Sequence, residues 1–330
     1  MTVTQASPYA IRLHETGGPD VLRVEPLTLP GPGPDQVLVR HAAIGLNFID
    51  TYFRSGLYKV VLPSGLGSEA AGVVEAVGGA VADFRAGDRV GYFTGSLGAY
   101  ATHALVDQDR LVKLPGGIAF DQAAASMLKG CTAEYLIERC AKVRAGHTVL
   151  VHAAAGGVGS LLVQWLKAIG ATVIAHSSSP EKAALASENG ADHSLHGPME
   201  ELAGEVRSLT EGHGVPIVLD GVGADSWKAS LDSIARRGLI VSYGNASGPV
   251  PPVSLLELSQ AGSIYVTRPT LGDYCVAPAE MRASADRLFA LMLGGKLKVR
   301  IGEHFPLKGA ADAHRAIESR ATTGSSVLNP

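Results

Sequence analysis

Residues 151–159 read "VHAAAGGVG", and apart from His152 nothing there can act as an acid, a nucleophile or a metal ligand. A turn stripped of side chains offers its backbone as the working surface. Ala153, Gly156, Gly157 and Gly159 form A-x-x-G-G-x-G, a relative of the glycine fingerprint whose small residues let the main chain approach a diphosphate. The free N–H groups of a following helix, with about half a positive charge, would complete the anion site. Glycine alone is weak evidence, since tight turns use it routinely. Here "TVLVHAAAGGVGSLLVQWLKAIGATVIAHS" supplies strand, turn, helix and second strand within the roughly 30 residues of one βαβ unit. That context predicts a dinucleotide site.

The second strand ends in "IAHSSSPEK", with no acid before Glu181. A carboxylate there would bind the ribose hydroxyls of NAD and repel a 2′-phosphate. Ser177, Ser178 and Ser179 instead offer donors and Lys182 a positive charge, so the expected cofactor is NADPH. The same residues also read as a helix cap, with Ser179 ahead of Pro180, and the two readings are compatible.

Zinc dehydrogenases of similar layout need Cys and His ligands and a four-cysteine lobe. Three cysteines (Cys131, Cys140 and Cys275) exclude that lobe. "GLGSEAAG" puts Ser68, and "GLNFID" puts Asn47, where ligands would stand, and the eleven histidines show no H-E-x-x-H spacing. No metal is expected.

The elements that must position these residues fall into two groups. "YAIRLHETGG", "VLVRHAAIGLN", "AAGVVEAVGGAV" and "AGDRVGYF" read as short strands, and "GAYATHALVDQDRLVKLP" as a hairpin. A helical period begins at "DQAAASMLKGCTAEYLIERCAKV". Strands then alternate with helices, the last of them over "ADSWKASLDSIARRG". This predicts an α/β chain: a doubly wound parallel sheet plus a β-rich domain to which the last 60 residues return. The expected boundaries are 1–127, 128–270 and 271–330. The chain's 330 residues suit two domains, and 46% hydrophobic against 18% charged residues supports two cores. A net charge of −3 argues against nucleic acid. No apolar run spans a bilayer, and few scattered cysteines fit the reducing cytoplasm without disulfides.

"GLNFIDTYFRSGLY", "LPSGLGSEAAGVVEAVG", "AGDRVGY", "QAAASMLKGCTAEYL", "HAAAGGVG", "RRGLIVSYGNASG", "YVTRP" and "ESRATTGSSVL" together resemble the NADPH:quinone oxidoreductase family. This is the zinc-free, zeta-crystallin-like branch of the medium-chain dehydrogenase/reductase superfamily, and the likeness covers nearly the whole chain. It implies a GroES-like catalytic domain, a Rossmann domain, and a homodimer paired through the cofactor-sheet edge, here assigned to "SIYVTRPTL". It also implies that Asn47, Phe48 and Tyr52 face the cofactor, with Thr132 and Tyr135 as contacts on a linking helix. Gly156, Gly157, Val158 and Gly159 would hold the pyrophosphate, and Ser178 and Lys182 the 2′-phosphate. Gly221, Tyr243, Gly244, Asn245, Arg268 and Arg320 are the remaining matched cofactor positions. Tyr52 and Asn47 are the expected catalytic donors to a developing oxyanion. Plainer roles stand beside these: Tyr52 as packing, Asn47 as a local turn, the two arginines as surface ion pairs, Cys131 as a core residue. One departure is "SLHGP", where Gly197 replaces a tyrosine common in the family. The implied activity is metal-free reduction of a quinone by NADPH. Reduction of activated C=C bonds in enones or alkenals, and nucleotide or RNA binding without turnover, are the alternatives.

Overall fold

Runs such as "TVLV" and "PIVLD" are apolar on both faces, as strands covered by helices on both sides must be. Six strands build one all-parallel sheet, the inner ones of this kind: β9 (Thr148–Val151), β10 (Thr172–Ser177), β11 (His193–His196), β12 (Val215–Asp220), β13 (Ile234–Ser242) and β14 (Tyr265–Thr267). The spatial order is β11-β10-β9-β12-β13-β14. The order therefore reverses between β9 and β12, which is the switch point where doubly wound sheets hold ligands at their strand C-termini. Helix α3 (Gly157–Ala168) follows β9 and buries Leu161, Leu162, Val163, Trp165 and Leu166. Helix α4 (Pro180–Glu188) follows β10. A core of Leu150, Ile174, Val206, Val218, Trp227 and Ile240 lies against this sheet.

A second unit is built on antiparallel pairing. Its larger sheet runs β15 (Ile301–Pro306), β16 (Ser325–Asn329), β3 (Gln36–Leu46), β5 (Glu69–Val77), β6 (Arg89–Phe93), β8 (Val112–Lys113), with β7 (His103–Asp107) also on β3. A smaller sheet orders β2 (Leu22–Pro26), β1 (Tyr9–Leu13), β4 (Ser64–Gly65). Ile11, Val37, Val39, Ile44, Leu46, Leu66 and Tyr100 form its core, each no more than 1% exposed. Helix α1 (Phe48–Ser55) springs directly from the end of β3.

The structure, a computed structural model, describes residues 7–93, 95, 97–319 and 322–330. The antiparallel unit takes the described residues up to Leu128, Cys275–Leu293 and Val299 onward, and the parallel unit takes Lys129–Tyr274 and Gly294–Lys298. The first crossing falls inside helix α2 (Phe120–Glu134). The short Gly294–Lys298 return differs from a single boundary near 271. Its physical basis is Gln164, whose amide donates to the Lys298 carbonyl at 3.2 Å and accepts the Lys298 N–H at 2.8 Å.

Three local expectations are corrected. β7 and β8 do not form a hairpin: a 3₁₀ turn at Gln108–Arg110 separates them, and they pair with β3 and β6 respectively. The helix over "ADSWKASLDSIARRG" is only Trp227–Ser233, because β13 already begins at Ile234 and carries Arg237 at a positive φ of 59°. The helical run through residue 140 ends in a π-helical turn at Tyr135–Cys140.

Candidate active site

In the parallel unit, the turn after β9 is shaped by its backbone. Ala153 is left-handed at φ 50°, and Gly156 caps α3 with no side-chain hydrogen bond. A Cβ on Gly159 would overlap the Ala153 carbonyl, so only glycine lets α3 start this close to the turn. The Ala154 N–H donates to the His176 carbonyl at 3.1 Å, which draws the turn toward the serine run. A side-chain-free concavity opening on uncapped helix N–H groups fits a diphosphate.

The three serines take different places. Ser177 is buried and its Oγ has no partner among the described residues. Ser178 is exposed, with Lys182 Nζ donating to its Oγ at 3.4 Å. Ser179 caps α4, its Oγ accepting the Lys182 N–H at 3.3 Å. Thus the cap reading and the Ser178–Lys182 pair coexist. Gly197 has φ 133°, and its carbonyl lies 3.3 Å from His176 Nε2.

At the other side of the switch point, Gly221 and Gly244 allow two strand-end loops to meet. A Cβ on Gly221 would come within 2.8 Å of the Tyr243 ring, and one on Gly244 would overlap the Gly221 carbonyl. The sequence reading missed the residue that holds this loop. Buried Asp220 accepts from the Val222 N–H at 2.8 Å, from Ser226 Oγ at 2.7 Å and from Ser230 Oγ at 2.7 Å. Ser230 Oγ is in turn 3.0 Å from His152 Nε2, linking the ends of β9 and β12. Ser230 gives its own proton to Asp220, so His152 Nε2 is the donor to Ser230 Oγ, and burial lowers the His152 pKa. The only signal was a lone acid ending an apolar strand, directly before "GVG".

Thr132 and Tyr135 are buried, and Tyr135 stacks on Tyr274 at 4.5 Å. Asn245 is half-buried; Arg268 is exposed, and one of its N–H groups donates to the Pro269 carbonyl at 3.3 Å. Cys131 is buried. Arg320 lies outside the described residues.

In the antiparallel unit, α1 presents Phe48 and Tyr52, whose rings meet edge-on at 5.7 Å, and Tyr52 meets Tyr58 at 5.3 Å. Asp50 locks the start of this helix. Its Oδ2 accepts the Asn47 N–H at 2.9 Å and the Tyr100 hydroxyl at 2.9 Å. Tyr100 is 3.1 Å from His314 Nε2, and His314 Nδ1 is 3.0 Å from Arg54 Nη1. A guanidinium only donates, so Nδ1 accepts and Nε2 carries the proton toward Tyr100. Burial and then the Arg54 charge hold the His314 pKa down at about 3. Arg54, 3% exposed, closes the chain on Glu318 at 2.5 Å.

Ser68 and Asn47, which the sequence sets where metal ligands would stand, are both buried and bring a hydroxyl and an amide instead of a thiolate or imidazole. Among the described residues no group of three or more His, Cys, Asp or Glu is placed to hold a metal ion. This donor set does not fit zinc. No described helix is long and apolar enough to cross a membrane.

A GroES-like domain joined to a doubly wound sheet with a side-chain-free nucleotide turn defines an oxidoreductase of the medium-chain class. Residues 33–116 match the alcohol dehydrogenase GroES-like domain and 157–290 the zinc-binding dehydrogenase domain. The chain is 53% identical over 321 residues to a quinone oxidoreductase of Pseudomonas aeruginosa, covering 97% of this chain and 99% of that one. It is 41% identical to a 2-haloacrylate reductase of a Burkholderia species, covering 96% and 98%. The structure of Escherichia coli quinone oxidoreductase complexed with NADPH superimposes with a TM-score of 0.95 at 45% identity, covering 98% of this chain and 100% of that one. The chain belongs to the quinone oxidoreductase family of the medium-chain dehydrogenase/reductase superfamily.

Proposed function

We propose that this chain is an NADPH:quinone oxidoreductase that works without a metal. The observation that carries the reading is the pairing of a backbone-only turn, closed by Gly159 on the Ala153 carbonyl, with an acid-free strand end where Lys182 meets Ser178. Bound NADPH would supply a hydride to a conjugated acceptor. The turn's N–H groups hold the diphosphate, and Ser178 and Lys182 hold the 2′-phosphate. Gly221, Tyr243, Gly244 and Asn245 border the nucleotide at the switch point, and Arg268 and Arg320 add positive charge to it. On the antiparallel unit, Asn47, Phe48 and Tyr52 face the reacting groups. Tyr52 supplies a hydroxyl where negative charge develops on a quinone oxygen, and the aromatic cluster keeps water from the hydride path. A reduced quinone leaves as a phenolate that solvent can protonate, so no buried acid is required. The likeness to a 2-haloacrylate reductase favours a second reading, reduction of activated C=C bonds, which needs a proton delivered to carbon.

We further propose a homodimer through the β14 edge, a cytoplasmic setting consistent with three free cysteines, and no nucleic-acid partner. A turnover panel of benzoquinones, naphthoquinones and enones with NADPH and NADH tests the activity. Failure to reduce any quinone would overturn it.

A further inference from the structure

Asn47 is 2% exposed, and its Oδ1 is shut off from solvent without completing a hydrogen bond. It stands at the N-cap of α1 with its side chain facing the Asp50 N–H in a capping box, but that N–H donates to the Asn47 carbonyl at 3.0 Å and leaves Oδ1 without a completed hydrogen bond. The other end of the amide is committed: Nδ2 donates to Glu69 Oε2 at 2.9 Å. Glu69 is fully buried, and its Oε1 accepts the Leu128 N–H at 2.6 Å. Its carboxylate occupies space that exists because residue 45 is glycine; a Cβ there would overlap Glu69 Oε2 and the Ala124 carbonyl.

A carboxylate accepts and never donates. It therefore draws the NH₂ of Asn47 toward itself and turns the carbonyl away. A buried acceptor left unmatched is a cost that folds tolerate where a ligand brings the missing donor. We propose that Glu69 is a positioning residue that sets the polarity of Asn47, so that Asn47 meets the ligand at α1 as a hydrogen-bond acceptor for an N–H or O–H group. This rests on the proposed quinone reduction and reverses the expectation that the Asn47 amide donates to the oxyanion. Two groups in that reaction carry the required donor: the carboxamide of the nicotinamide and the hydroxyl of the hydroquinone.

Glu69→Gln tests the proposal with little change in volume. The Leu128 backbone N–H cannot turn, so the new amide must give it an oxygen and point its NH₂ at Asn47. Asn47 must then flip, with its own NH₂ outward. Adding Asn47→Asp exchanges acid and amide across the pair and restores the outward acceptor at unchanged net charge. Neutron diffraction on the unliganded protein should show Asn47 Oδ1 outward in the wild type and inward in Glu69→Gln. Binding of NADPH against its 3-acetylpyridine analogue, which has no amide donor, reads the first source. Inhibition by a hydroquinone against its dimethyl ether reads the second.

For one of the two pairs we expect the wild type to favour the donor-bearing ligand about tenfold. Glu69→Gln should bring that ratio near one, and the double variant should restore it. A group that merely caps α1 would move the melting temperature and leave both ratios alone, and that result overturns the proposal, as does a double variant that stays like the single one. Absence of quinone turnover in the wild type would instead sink the functional reading; the neutron structures would still judge the orientation of Asn47.

Discussion

Lys182 shows how far a single residue can be read. Its Nζ is held 3.4 Å from Ser178 Oγ, one turn into α4, where the charge is presented by a helix start that Ser179 already caps. A charge-assisted hydrogen bond to phosphate contributes about 1.5–3 kcal/mol. Lys182→Ala should therefore raise the Kd for NADPH by roughly 10- to 100-fold and leave that for NADH within about twofold, as measured by cofactor fluorescence titration. Equal losses would place the 2′-phosphate elsewhere. Tyr52→Phe separates the two proposed reactions: enone turnover should fall by about 100-fold and quinone turnover by about tenfold or less, because only the former needs a proton at carbon. The type and position of these residues were legible in the sequence. The division of labour among Ser177, Ser178 and Ser179 was not, because it depends on where β10 ends and which face each residue then takes.

At the scale of elements, the strand–turn–helix around Gly159 was legible because glycine and period act over adjacent residues. The lock on α1 was not, because its members are far apart in sequence: Asp50, Tyr100, Arg54 and His314 meet only once β3, α1 and the Ala310–Glu318 helix are folded. The same distance hid Glu69 from Asn47. The lock has a pH signature. His314 titrates near 3 in the fold against about 6.5 when free, so between those values the unfolded chain binds a proton that the native one refuses. Its stability contribution is present above about pH 6.5 and is lost as pH falls toward 3, at about 1.4 kcal/mol per pH unit. His41 and His176, held at about 4 chiefly by burial, act in the same direction. Urea midpoints measured from pH 7 to pH 4 should fall steadily, and His314→Gln should make that fall shallower by about one proton's worth. An unchanged slope would show that His314 is already protonated in the native state.

For the molecule as a whole, the parallel sheet leaves one edge to explain. β14 has only three residues and pairs on one side, with β13. Tyr265 is 64% exposed and Val266 38%, and the helix just before the strand shows Leu255 and Leu256 to solvent as well. An apolar edge strand is a template for another strand, and proteins that stay monomeric usually charge it, shorten it or cover it. Here it is short but carries no charge and pairs with no further strand among the described residues, which is why a second copy is its proposed cover. Val266→Lys should convert a particle of twice the chain mass into one of a single chain mass in light-scattering chromatography. Its NADPH affinity should stay within about twofold, because Ser178 and Lys182 follow β10, four places from β14 in the sheet order. A wild type that already elutes at one chain mass would refute the edge pairing. A monomeric variant that lost NADPH would show that the dimer shapes the nucleotide site, which the sheet order argues against.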